Sequence, residues 1–340
     1  MTAAPTPSLF PGDFAAEDGG HGVAVWSTPQ WRERATAWAD DALAGHGIRR
    51  TGPAEQPHLR PWSTVLRLPT SAGSVWLKAP GPGLAVEVSL YAVLARHAPD
   101  LVLVPYAVDE ARSWLLLPDG GAVLATNTTE SLEVWATALE GYARLQLALT
   151  DHVGEALAVG VPDHRPERLG VVLEETVTAA RVLARTAAEQ TTLDDALAAR
   201  SRLEELAGVL AASPHRPTVQ HDDLHRDNVF LAGARVFDWG DAVVAHPFAS
   251  LLVALRDTAE PFGVGQGDPR VVAARDAYLA PFGGPTAANL RDVAAARQVG
   301  VVSRAANWLR AIESCTDEES ADVRSAPIHW LGMLGDDDHR

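Results

Sequence analysis

Strand-forming patterns crowd into one stretch of this 340-residue chain, between about residues 58 and 118, and from about Thr128 onward nearly every periodic segment is helical. That split calls for an α+β chain with a small β-rich N-terminal lobe and a larger helical C-terminal one. The apolar runs Val65–Leu68 and Ser74–Lys78 flank the turn-forming Pro69–Gly73 and predict a hairpin. Before them, Trp31, Ala35, Trp38, Ala42 and Leu43 recur close to helical spacing, which predicts a short amphipathic helix. After them come the breaker Pro80–Gly83, a helix over Leu84–Arg96, and two short strands in Leu101–Val108 and Ser113–Leu117. Helical patterns then cover Leu132–Leu149, Leu169–Ala187, Leu193–Ala212, His246–Arg256, Pro269–Leu279, Ala287–Ile312 and Ala321–Leu334. One β island interrupts them: Pro217–Gln220, Val229–Leu231 and Arg235–Phe237. The expected division is a loose tail over 1–28, an N-terminal lobe over 29–117, a linker over 118–121 and a helical lobe over 122–340.

Composition excludes several kinds of protein. The net charge of −16 is the opposite of what a phosphate-backbone partner selects, so no nucleic acid is expected. No stretch approaches the roughly 20 uninterrupted apolar residues that a membrane span needs. Cys315 is the single cysteine, so no internal disulfide forms and a reducing compartment fits. The first 31 residues hold neither Lys nor Arg and no long apolar core, which argues against a secretory signal. A cytoplasmic protein is expected, as a monomer or a homodimer. Of the 28 basic residues, all but Lys78 are Arg. A lone ammonium among guanidinium groups marks a position where a compact point charge could be required.

The densest chemistry lies in His221-Asp222-Asp223-Leu224-His225-Arg226-Asp227-Asn228, between a strand and a hairpin whose second arm ends in Asp238-Trp239-Gly240-Asp241. The pattern H-x-D-x-x-x-x-N should arise by chance only about 0.01 times in a chain of this composition. This segment resembles the catalytic and metal-binding region of the protein-kinase-like superfamily, in its aminoglycoside phosphotransferase and choline kinase branch. The resemblance extends over about residues 58–335 and implies a protein-kinase-like bilobal fold with 118–121 as hinge. It puts Asp223 at the position of the catalytic aspartate, and Asn228 and Asp238 at the two magnesium-ligand positions. The chemistry agrees, because phosphoryl transfer rests on positioning and on neutralising phosphate charge, and hard oxygen ligands suit Mg²⁺.

On the same resemblance Lys78 would touch the α and β phosphates of ATP or GTP, with Glu87 as its ion-pair partner. The gap of nine residues between them demands a tight connection through Pro80–Gly83. There is no G-x-G-x-x-G before the first strand pair, so His58–Ser63 must cover the nucleotide, with Ser63 and backbone N–H groups meeting phosphate. Leu115–Asp119, and Leu117 and Asp119 in particular, would offer backbone groups to the base, since Pro118 lacks an N–H.

His225 stands where protein Ser/Thr kinases usually carry Lys, and no Ala-Pro-Glu segment follows Asp238. A small-molecule hydroxyl is therefore the expected acceptor: a sugar, aminosugar or aminoglycoside, cationic if Asp222, Asp227 and Asp241 draw it in. Trp239 and Asp241 adjoin the metal site and are candidate acceptor contacts, as are Trp308, Glu313, Trp330, Arg304, Asn307 and His329. Ser250 replaces the Asp that this family often has ahead of Leu, so the helix after the metal loop must be tied down differently. Antibiotic resistance and metabolism are both compatible roles. Two rival readings exist: a metal-dependent hydrolase built on His221, Asp222, His225 and Asp227, and a non-catalytic nucleotide-binding relative.

Overall fold

The computed structural model describes residues 20–124 and 129–334, so residues 1–19 of the expected tail lie outside the described residues. Chain order begins with α1 (Val23–Trp26) and α2 (Pro29–Ala44). The strands β1 (Glu55–Arg60), β2 (Ser63–Thr70), β3 (Gly73–Pro80), β4 (Ala107–Asp109) and β5 (Trp114–Pro118) follow, forming one antiparallel sheet in the order β1-β2-β3-β5-β4. Alternation decides its two faces. Leu66, Leu68, Val75, Leu77 and Ala79 are buried under Trp31, Ala35, Ala39 and Leu43 of α2, while Val65, Trp76 and Lys78 take the opposite face. Thr28 caps α2 by accepting from Trp31 N at 3.2 Å, with Pro29 in its first turn. Trp26, from the end of the expected tail, is 1% exposed and packs into this small core.

The helix α3 (Val86–His97) enters through a 3-10 turn over Pro82–Leu84. Its Val88, Leu90, Tyr91, Val93 and Leu94 join the core of the large lobe rather than that of the sheet. The large lobe contains α4 (Thr129–Leu149), α5 (Val153–Ala158), α6 (Leu169–Leu183), α7 (Ala187–Ala198), α8 (Arg200–Ala211), α9 (Leu251–Ala259), α10 (Pro269–Leu279), α11 (Ala287–Ile312) and α12 (Ala326–Gly332). Two strands, β6 (Thr218–Gln220) and β7 (Val243–Ala245), pair antiparallel within it. The 26-residue α11 runs through the middle against α6, α8, α9 and α12 and buries Arg297, Arg304, Asn307 and Arg310 along with its apolar residues. Such polar residues in a core need partners, and three of them find theirs at the site described below.

Several elements differ from expectation, each for a physical reason. β1 carries Pro57 and few β-formers, and it is tolerated because it is an edge strand. Leu101–Val104 forms no strand; pairing starts only past Pro105, where Tyr106 N donates to Leu116 O at 2.8 Å. The helix expected over Leu193–Ala212 begins earlier and is two helices, because Thr186 and Glu189 form a capping box that starts α7. Pro327 fits only the first turn of a helix, so α12 is shorter than Ala321–Leu334.

Candidate active site

The sheet's alternation brings Lys78 to the inter-lobe cleft, where its Nζ lies 2.6 Å from Glu87 Oε2 and 2.5 Å from Asp238 Oδ1. The required tight connection exists. Gly81 N donates to Trp62 O at 2.8 Å, and Gly83 lies so close to the backbone of Arg310 that no Cβ fits there. Glu87 is buried and its Oε1 accepts from Trp239 N at 3.1 Å, which joins α3 to the residue after Asp238. Burial would lower the Lys78 ammonium, but Asp238 and Glu87 outweigh it and hold it above its ordinary value. Burial pushes Glu87 up to about 7, against the pull of Lys78. Lys78 in turn overrides burial at Asp238 and holds that carboxyl below its usual range.

β6 feeds the chemical loop. Asp222 and Asp238 both have positive φ (61° and 64°), a left-handed conformation that Asp tolerates better than most side chains. The turn at Asp222 sends consecutive carboxylates to different surroundings. Asp222 is buried, accepting from Gln220 Nε2 at 2.5 Å and from Asn307 Nδ2, and burial pushes it up to about 7 despite Arg304. The side chain of Asp223 is 27% exposed; Arg304 Nη2 lies 2.9 Å from its Oδ1 and His225 Nε2 3.6 Å from its Oδ2. Burial would raise Asp223, but Arg304 and His225 hold it well below the usual carboxylate range, so it is ionised at neutral pH.

One imidazole sets the register of the loop. His221 Nδ1 accepts from Asp223 N at 3.3 Å while its Nε2–H donates to Phe237 O at 2.8 Å, linking Asp223 to the residue before Asp238. Burial drives this histidine down to about 4, so it keeps the neutral form that accepts at Nδ1. Phe237 N donates to Asn228 O at 3.0 Å, which aligns Asn228 with Asp238 across the hairpin. Asn228 Nδ2 donates to the Asp223 carbonyl at 3.0 Å, turning the amide oxygen of Asn228 into the group available to a cation. Asn228 and Asp238 thus offer hard oxygen donors of the kind Mg²⁺ takes, and the residues fit that ion.

Ser250 shows how the following helix is held without an Asp. Its Oγ donates to Gln220 Oε1 at 2.9 Å and lies 2.8 Å from Tyr142 OH, which accepts from His221 N at 2.8 Å. Gln146 Nε2 also reaches Ser250, and Tyr278 OH donates to Gln146 Oε1 at 2.6 Å. A neutral, buried network therefore fixes α9 and the base of the loop together.

Ser63, Lys78, Glu87, Leu117, Asp119 and Asp238 line one cleft of about 450 Å³. Ser63 follows the tight turn between β1 and β2 and lies 3.1 Å from His58 Nε2, while Asp119 Oδ1 accepts from Gly121 N at 2.9 Å. Phe230 and Phe237, stacked with centroids 4.2 Å apart, also line this cleft. Sequence reading passed over them, although an aromatic on each hairpin arm beside Asn228 and Asp238 was a usable signal.

The expected acceptor contacts fare unevenly. Trp239 is fully buried, packed on His221 and Tyr142, and cannot touch an acceptor. Asn307 is buried too, bound to Asp222, the Asp241 carbonyl and Arg310. Glu313 faces a separate cavity behind α3, lined also by His164 and Arg168, and not the Asp223 loop. Trp308 packs edge-on to Trp62 of the β1–β2 turn, with ring centroids 6.2 Å apart. Asp241 Oδ1 lies 3.6 Å from Arg304 Nη1, and burial pushes its carboxyl up to about 6. Arg304 in turn stacks over Trp330, and exposed His329 packs edge-on to that ring. The hydrolase reading fails on geometry: both ring nitrogens of His221 are engaged, Asp222 is buried, Asp227 is exposed, and the stretch 221–225 that would have to present His221 and His225 on one helical face is not helical.

A two-lobed kinase-like body with a lysine–glutamate pair facing an ionised aspartate defines a class of phosphoryl-transfer protein. The sequence profile of the phosphotransferase enzyme family (APH) matches residues 56–290, and the chain belongs to that family. Solved structures agree on the fold. Macrolide 2'-phosphotransferase type I is 19% identical with a TM-score of 0.55, covering 86% of this chain and 96% of that one. An ethanolamine kinase of Plasmodium vivax is 11% identical with a TM-score of 0.57, covering 89% and 93%. The GDP complex of aminoglycoside 2'-phosphotransferase-IIIa is 16% identical with a TM-score of 0.52, covering 87% and 97%. No curated protein matches the chain by sequence. Among the described residues no helix is long and apolar enough to cross a membrane.

Proposed function

We propose that this phosphotransferase moves the γ-phosphoryl group of Mg²⁺–ATP or Mg²⁺–GTP onto a hydroxyl of a sugar-like small molecule. The observation that carries it is the ionised Asp223, registered through His221 and the hairpin with Asn228 and Asp238, opposite the buried Lys78–Glu87 pair. Asp223 orients the acceptor hydroxyl and takes its proton late in the transfer, which a carboxylate of low pKa can do once the oxygen is bonded to phosphorus. Lys78 positions the α and β phosphates, and Glu87 holds the ammonium in place. Asn228 and Asp238 hold the Mg²⁺, which when bound neutralises phosphate charge. Ser63 and the backbone of the β1–β2 turn cover the phosphates, and backbone groups of 117–119 meet the base above Phe230 and Phe237. The stretch 118–121 serves as the hinge between a nucleotide lobe and a catalytic lobe.

Charge gives less guidance on the acceptor than composition promised. Arg304 lies among Asp222, Asp223 and Asp241, so a cationic group is not required and a neutral sugar is accommodated as well as an aminosugar or aminoglycoside. Nucleotide consumption measured over aminoglycosides, aminosugars, simple sugars and amino alcohols tests the reading. Asp223→Asn should lower kcat on the accepted compound by about 10²–10⁴-fold with nucleotide affinity nearly unchanged. Full turnover by that variant would refute the assignment, and nucleotide-independent hydrolysis lost with zinc would favour the hydrolase instead.

A further inference from the structure

A side-chain cluster that takes no part in phosphoryl transfer joins the far end of α3 to the large lobe. His97 closes α3, His152 ends the 3-10 turn after α4, and Glu155 lies in the first turn of α5. The two imidazoles stack with centroids 3.4 Å apart and planes 15° apart. His97 Nε2 and His152 Nδ1 converge on one oxygen, Glu155 Oε1, at 3.0 and 2.9 Å. Among the described residues, these are the three metal-ligating side chains whose ligand atoms all lie within 4.8 Å of one another. We propose that His97, His152 and Glu155 form a binding site for a divalent transition-metal ion of the Zn²⁺ type, which clasps the C-terminal end of α3 to the large lobe.

The donor atoms are nearly spaced for the ion, but the two stacked rings must tilt apart to take it, because a metal lies in the plane of each imidazole that binds it. With bonds of about 2.0–2.1 Å, neighbouring ligands of a tetrahedral Zn²⁺ stand about 3.3 Å apart, so the two contacts to Oε1 open by only a few tenths of an ångström. The hydrogen on each ring moves to the opposite nitrogen, and once the rings splay out of the stack the freed lone pairs become the donors. Arg96 Nη1 already holds the other carboxylate oxygen, Oε2, at 2.7 Å, which makes Glu155 a one-oxygen ligand and leaves a fourth position for water. Access is open, since the side chains of His152 and Glu155 are 33% and 38% exposed. Two imidazoles and one carboxylate suit Zn²⁺, Ni²⁺ or Cu²⁺, whereas Mg²⁺ prefers oxygen and keeps its waters, so the ion that serves the nucleotide does not compete here. Glu87 lies near the other end of the same helix, so an ion at His97 would brace the helix that carries the partner of Lys78.

The test is calorimetric titration of Zn²⁺ into the untagged, chelator-treated full-length chain with Mg²⁺ present, beside melting curves with and without Zn²⁺. The expected result is one ion per chain with micromolar or tighter affinity, and a melting temperature that rises with Zn²⁺. His97→Gln and His152→Gln, shown by circular dichroism to be folded in chelator, should each weaken binding at least as much as the roughly 10- to 100-fold that outer-shell changes cost. Glu155→Gln is the second route should either histidine variant fail to fold. No saturable binding by the wild-type chain, or binding of unchanged affinity in these variants, overturns the proposal.

Discussion

Lys78 carries the strongest case at the scale of a single residue. Its Nζ is shared between two carboxylates, those of Glu87 and Asp238, and a guanidinium is larger, planar and set to bond in a fork. Lys78→Arg should therefore raise the KM for nucleotide and lower kcat/KM by about tenfold or more, read from steady-state kinetics; equal activity would make the lone lysine an accident of composition. A second residue-scale effect concerns pH. Burial drives His246 down to about 3 from its ordinary 6.5, so it is neutral in the fold while its unfolded counterpart charges first. Between those values the unfolded chain binds the extra proton, and stability is lost as pH falls below 6.5. At pH 5 that amounts to about 2 kcal/mol. His246→Asn keeps an acceptor for Phe248 N, and its urea stability should fall by about 2 kcal/mol less between pH 7.5 and 5 than that of the wild type.

At the scale of elements, the connection from β3 to α3 and the loop from β6 to β7 do most of the positioning. The 3-10 turn Pro82–Leu84 is tight because Gly83 rests on the backbone of Arg310, and Arg310 Nε donates to Gly83 O at 3.1 Å. Gly83→Ala should push this turn off α11, cost about 1–3 kcal/mol in chemical unfolding and raise the KM for nucleotide by shifting Glu87. A change in stability with an unaltered KM would separate the turn from Glu87. His221 does for the loop what the glycine does for the turn: its ring bridges Asp223 and Phe237, so the aspartate and the hairpin that carries Asn228 and Asp238 move as one piece.

At the scale of the whole molecule, α11 is the beam between the lobes. Arg310 is 2% exposed and donates to Gly83 O on the small-lobe side, to Gly240 O at 2.8 Å beyond Asp238, and to Asn307 Oδ1 at 2.6 Å. Arg310→Met keeps much of the volume but leaves buried carbonyls without their donor, at about 1–3 kcal/mol for each unsatisfied group. Its melting temperature should drop by several degrees and its KM for nucleotide should rise more than that for the acceptor. An equal rise in both would mean that Arg310 supports the large lobe alone.

Much of the fold was legible because its signals are local. Period-two alternation showed β2 and β3, helical spacing showed α2, α10 and α11, and the His221–Asn228 segment with Asp238 showed where the chemistry lies. The Thr186–Glu189 capping box was legible too, though it was overlooked. What resisted depends on contacts between residues far apart in the chain. Asp223 and Arg304 meet only because α11 packs under the loop, and the same packing turns Asp241 and Asp222 inward and makes the acidic balance a poor guide to the acceptor. Trp239 and Glu313 were both expected at the acceptor, but one is core and the other lines the cavity behind α3. The sequence by itself determined which elements form and which side chains carry chemistry, since backbone period and residue type are properties of adjacent residues. Only the tertiary structure decided which charges are neutralised and which aromatics are exposed, because burial and long-range pairing exist only once the helices have packed.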